Sequence, residues 1–140
     1  MELVSNGIGE IRLGMSPSQV ENILGTHHTF EEWMGGNLND ALLYPGLVIC
    51  FNRSDSNRPL ADSQVSEIWI HPNQPTTLAG KEIFSLYKRD IESYFNANGI
   101  VFKYVRGDVC IPEYGWEFCF NEEDERIIAV YLLRFSEESK

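Results

Sequence analysis

Three blocks of this chain recur in the same order farther along, and a duplication of that kind constrains the fold before any single motif does. Residues 13–24 lie over residues 84–95, with apolar positions coinciding at Leu13/Phe84, Met15/Leu86, Val20/Ile91, Ile23/Tyr94 and Leu24/Phe95. Ile49-Cys50-Phe51-Asn52 lies over Phe118-Cys119-Phe120-Asn121, and Val65-Ser66-Glu67-Ile68-Trp69-Ile70 over Ile127-Ile128-Ala129-Val130-Tyr131-Leu132. The offsets are 71, 69 and 62 residues. The last step is read as an insertion in the first copy, the loop over 53–63.

Each copy reads as one helix followed by a meander of strands. In the first, Ser16 is an N-cap, Pro17 takes the first helical position, Gln19 completes a capping box and Gly25 stops the helix. In the second, Ile83, Phe84, Tyr87, Ile91, Tyr94 and Phe95 follow helical spacing, with the start open between Lys81 and Leu86 and the end at Asn98-Gly99. Strands are expected over 28–35, 41–53 (bent at Pro45-Gly46) and 64–71, then over 100–106, 109–111, 114–121 and 126–135. Repeat one spans about 8–71 and repeat two about 80–135. The proline-bearing linker 72–79 is too short to separate domains. Halves of about seventy residues bury more surface by sharing a sheet than by standing apart. The expectation is therefore one α+β domain over 1–140, with two pseudo-equivalent helix-plus-antiparallel-strand repeats in one sheet and both helices on one face.

Strand alternation assigns the faces. Ile49, Phe51, Ile68, Ile70, Phe118, Phe120, Val130 and Leu132 belong under the helices. The other face then carries Val48, Cys50, Glu67, Trp69, Glu117, Cys119, Tyr131 and His71, with no third helix to cover it. Trp and Tyr among carboxylates are an unusual choice for a bare sheet, and they anchor interfaces with little rotamer entropy to lose.

Charge narrows the partner. The chain has 21 acidic and 11 basic residues, a formal charge of −10, with −5 in residues 1–50, +1 in 51–107 and −6 in 108–140. Such a surface repels nucleic acid, and no apolar run is long enough to span a membrane. The first residues lack the basic start and apolar core of a secretory signal, and three cysteines (Cys50, Cys110, Cys119) are too few for a disulfide scaffold. A cytoplasmic protein with free thiols is expected. With a turn centred on Tyr114-Gly115, Cys110 would face Cys119 across a hairpin.

Signals for catalysis are weak. There is no P-loop, no dinucleotide glycine fingerprint and no Gly-x-Ser-x-Gly elbow, and Gly7-Ile8-Gly9 reads as a turn. His27-His28 lack a supporting cysteine pair, His71 has no nucleophile beside it by sequence, and no base is placed to make a thiolate. Neither enzyme activity, a metal nor a cofactor is expected.

The segment Ile11-Arg12-Leu13-Gly14-Met15-Ser16-Pro17-Ser18-Gln19-Val20-Glu21-Asn22-Ile23-Leu24-Gly25 resembles the helix signature of small helix-plus-sheet modules. Among these are the BamE/SmpA-type outer-membrane lipoproteins and the tandem repeats of β-lactamase-inhibitor-like proteins. Those proteins are exported, whereas this chain shows no signal or lipid-acceptor cysteine near its start. In size, acidity and lack of catalytic chemistry it is also similar to bacterial toxin immunity proteins of the contact-dependent growth inhibition type. The resemblance implies a non-catalytic protein that inhibits a basic protein partner, a cognate toxin domain such as a nuclease. Glu67, Glu117 and His71 would make polar contacts, Trp69 and Tyr131 would supply buried area, and Glu122, Glu123, Asp124 and Glu125 would steer association. The alternatives are a small-ligand binding domain or unrecognised enzyme using the open face, and a self-associating scaffold domain.

Overall fold

The computed structural model describes residues 1–25, 41–54 and 59–134. The expected strand over 28–35, His27-His28 and the middle of the 53–63 loop lie outside the described residues.

Among the described residues the protein is α+β, with two α-helices and a mostly antiparallel arrangement of strands. Three two-residue strands, β1 (Leu3–Val4), β2 (Gly7–Ile8) and β3 (Ile11–Arg12), form a small sheet. Gly7 and Ile8 are therefore strand, and the turn falls at Gly9-Glu10. Helix α1 (Pro17–Leu24) follows. Its Ser16 side chain accepts from the Gln19 amide at 3.3 Å while Gln19 Oε1 accepts from the Ser16 amide at 2.9 Å, so two orphan donors are satisfied at once.

Next come β4 (Ala41–Tyr44), β5 (Leu47–Phe51) and β6 (Val65–Ile70). The bent strand expected over 41–53 is instead a hairpin, with Tyr44 paired to Leu47. Pro45 and Gly46 supply a type II pattern, fixed φ followed by a φ of +69°. The end of the linker and the start of the second repeat form a hairpin, β7 (Thr77–Leu78) and β8 (Lys81–Glu82). A 3-10 turn (Ile83–Ser85) leads to α2 (Lys88–Ala97), so helix starts at neither Lys81 nor Leu86. The cause is visible at Leu86: its carbonyl accepts from the Ile127 amide at 3.0 Å, which commits the residue to extended backbone. Four strands close the chain: β9 (Lys103–Val105), β10 (Asp108–Ile111), β11 (Trp116–Phe120) and β12 (Ile127–Leu133).

The main sheet has seven strands in the order β4-β5-β6-β12-β11-β10-β9, and every neighbouring pair is antiparallel. Residues Leu42, Ile49, Ile68, Leu132, Trp116 and Ile111 form one transverse row, and all are buried. They share an apolar cluster with Val20 of α1 and with Ile91 and Phe95 of α2. The helix-side assignment of Ile49, Phe51, Ile68, Ile70, Phe118, Phe120, Val130 and Leu132 agrees with this cluster.

Candidate functional site

The site is built on the sheet face turned away from that cluster. Pairing across all seven strands places Leu43, Val48, Trp69, Tyr131, Glu117, Cys110 and Lys103 in one row. Along it the chemistry passes from aliphatic through aromatic to acidic, and ends on a cation at the sheet edge.

The aliphatic end is covered, contrary to the expectation of a bare face. Ala41, Leu43, Val48 and Cys50 are buried and form a second apolar cluster, with Trp69 against it. Trp69 and Tyr131 are half-buried. Their rings meet edge to face at 6.2 Å, and His71 approaches Tyr131 at 6.4 Å in the same manner. The indole donates to Glu67 Oε1 at 3.1 Å, while the Tyr131 hydroxyl makes no hydrogen bond to a described residue.

The acidic end depends on a register that the sequence reading misplaced. Residues Pro112 to Gly115 connect β10 to β11, and the Tyr114 and Gly115 amides donate to the Ile111 carbonyl at 3.1 and 3.0 Å. Gly115, with φ of +74°, closes this turn and does not sit at its centre. Cys110 therefore pairs with Glu117, not with Cys119, and neither Cys110 nor Cys119 is in a disulfide. The same shift brings Asp108 beside Cys119. One ligand-capable atom from each of Asp108, Glu117 and Cys119 lies within 4.8 Å of the other two.

Protonation follows from this crowding. Partial burial, a hydrogen bond to Asp108 and the charges of Asp108 and Glu67 push the Glu117 carboxyl up to about 7, against a smaller opposing effect of Arg106. Burial raises the Cys110 thiol to about 11 and, with Asp108 and Glu117, raises Cys119 as well. Thiolate formation is thus disfavoured at both. Burial lowers the His71 imidazole, so the neutral ring is favoured.

Of the residues singled out from sequence, Glu67, Trp69, His71, Glu117 and Tyr131 come together on this face. Glu122, Glu123, Asp124 and Glu125 do not join them. Asn121 Oδ1 accepts from the Glu123 and Asp124 amides at 2.8 and 3.3 Å, folding the segment into an exposed turn. Glu125 reaches Lys88 at the start of α2, at 3.6 Å. Comparison with protein-family models, with curated proteins and with solved structures finds no match to this chain. Asp108 and Lys103 were missed by sequence reasoning. A turn centred on Glu113-Tyr114 would have revealed Asp108 opposite Cys119.

Proposed function

We propose that this is a non-catalytic binding protein that occludes a basic protein partner, as a toxin immunity protein does. The observation that carries the reading is the Trp69–Tyr131 ring pair, half-buried and flanked by Glu67 and Glu117 on the face opposite the helices. Aromatic anchors of this kind supply contact area, and the carboxylates around them favour Lys or Arg on the partner. Thiols held protonated and a neutral His71 set against the Tyr131 ring fit binding better than covalent chemistry.

The reading includes the internal duplication, with β4-β5-β6 and β10-β11-β12 as equivalent meanders joined through β6 and β12. Several details favour it. Both copies slip register at the same aligned position, between Cys50 and Phe51 and between Cys119 and Phe120. The aligned residues Met15 and Leu86 each accept from the first amide of a strand, Val65 at 2.7 Å and Ile127 at 3.0 Å. Asn52 and Asn121 donate their amides to Gln64 and Arg126 across the two slips, at 3.0 and 2.8 Å.

The test is affinity capture from the source cell at low salt with the wild-type chain and a Trp69→Ala/Tyr131→Ala variant. A basic protein retained by the first and lost by the second, and neutralised in growth assays by co-expression of this chain, is the expected result. Retention by both, with the variant folded, would remove the aromatic face from the interface.

A further inference from the structure

The β10–β11 register gathers donors that no requirement of the apolar core explains. Asp108, Glu117 and Cys119 are half-buried, and their ligand-capable atoms lie within 4.8 Å of one another. Around one Zn2+, with Zn–S of about 2.3 Å and Zn–O of about 2.0–2.2 Å, tetrahedral donors sit roughly 3.5 Å apart. Side-chain rotations on the order of 1 Å would close these three to that spacing.

A second observation comes from Cys110. It is 1% exposed, yet it belongs to neither apolar cluster of the molecule. It sits beside Glu117 in the strand pairing, near enough to Glu117, Asp108 and Cys119 to interact with their charges. Its thiol makes no hydrogen bond to a described residue. A soft donor is thus withdrawn from water beside two carboxylates and a second thiol. The cations that act on this group are Arg106 and Lys103. Neither makes an ion pair with it.

We propose that Asp108, Glu117 and Cys119, with Cys110 as the fourth donor, bind one thiophilic divalent cation of the Zn2+ type. Thiolate and carboxylate together select a borderline-soft ion over Mg2+ or Ca2+, which take oxygen donors alone. On binding, the S–H bonds of Cys119 and Cys110 are broken, both protons go to water and each sulfur gives a lone pair to the metal. A Glu117 carboxyl that still carries its proton gives it up to water as well. Coordination therefore releases at least two protons. The site goes beyond the docking role of the face and does not depend on it.

The experiment uses the full chain, stripped with chelator and kept reduced, titrated with Zn2+ against a chromophoric indicator and with Co2+ and Cd2+ for their thiolate charge-transfer bands. One equivalent bound, with a thiolate band and proton release, is expected. Cys119→Ser and Asp108→Asn should each weaken binding about tenfold or more, whereas Cys50→Ala should not. Circular dichroism of both variants establishes that they fold, and Glu117→Gln serves if either does not. Absence of saturable binding would overturn the proposal. So would binding that survives Cys119→Ser and Asp108→Asn, or that is lost on replacing His27 and His28.

Discussion

Glu117 couples the site to pH. Its carboxyl is held up to about 7 when folded, against an ordinary 4.5. Between those values the folded chain keeps a proton that the unfolded chain has released, so stability falls as pH rises through that window. Glu117→Gln removes the dependence. The variant should match the wild type near pH 4 and exceed it near pH 8 by about 1–2 kcal/mol, a figure already discounted for partial exposure. Denaturant titrations at the two pH values check it; an equal change in stability with pH for variant and wild type would contradict a carboxyl raised by burial and by Asp108. Gly46 carries a different constraint. Its φ is +69° and an added Cβ would lie 2.3 Å from the Gln74 backbone nitrogen. Gly46→Ala should therefore cost more than the roughly 1–3 kcal/mol of left-handed backbone alone, read as a lowered denaturation midpoint.

Elements succeed here where local chemistry and tertiary demand agree. Helix α1 has only eight residues and depends on its reciprocal cap, so Ser16→Ala should cost about 1 kcal/mol by thermal or chemical unfolding. Helix α2 lacks a Ser or Thr cap; Asp90 instead accepts from the Tyr87 amide at 2.8 Å. Its hold on the sheet is Phe95, fully buried with its ring 5.7 Å from Phe118 and 6.3 Å from Trp116. Phe95→Ala should cost about 3–5 kcal/mol, enough to threaten a domain of this size. A small effect would mean that α2 contributes little to the core.

Taken whole, the molecule holds its densest acidic run apart from the Trp69–Tyr131 ring pair. The acidic turn Glu122, Glu123, Asp124 and Glu125 is fastened on the α2 side by Lys88, away from the ring pair. Under the binding reading it acts by long-range steering alone. Replacing the four by Ser should slow association with a basic partner and flatten its salt dependence while leaving dissociation unchanged. Stopped-flow measurements at low and moderate ionic strength test this, and a changed dissociation rate would place the turn inside the interface. No helix of the described residues is long and apolar enough to cross a membrane.

Alternation along β6, β11 and β12 and the Ser16-Pro17-Gln19-Gly25 punctuation of α1 were legible in the chain, because each is a short-range pattern of apolar spacing or capping. Pro45-Gly46 was legible as a break, but whether it bends a strand or reverses it depends on what pairs across it. The start of α2 was decided at a distance, by the bond from Ile127 to Leu86. The same holds at the site. Composition pointed to aromatics among acids, while the meeting of Asp108, Glu117 and Cys119 turned on a one-residue choice of turn centre at Pro112 to Gly115. In an antiparallel pair that choice keeps each side chain on its face but exchanges every partner, and only packing of the whole sheet selects among the registers.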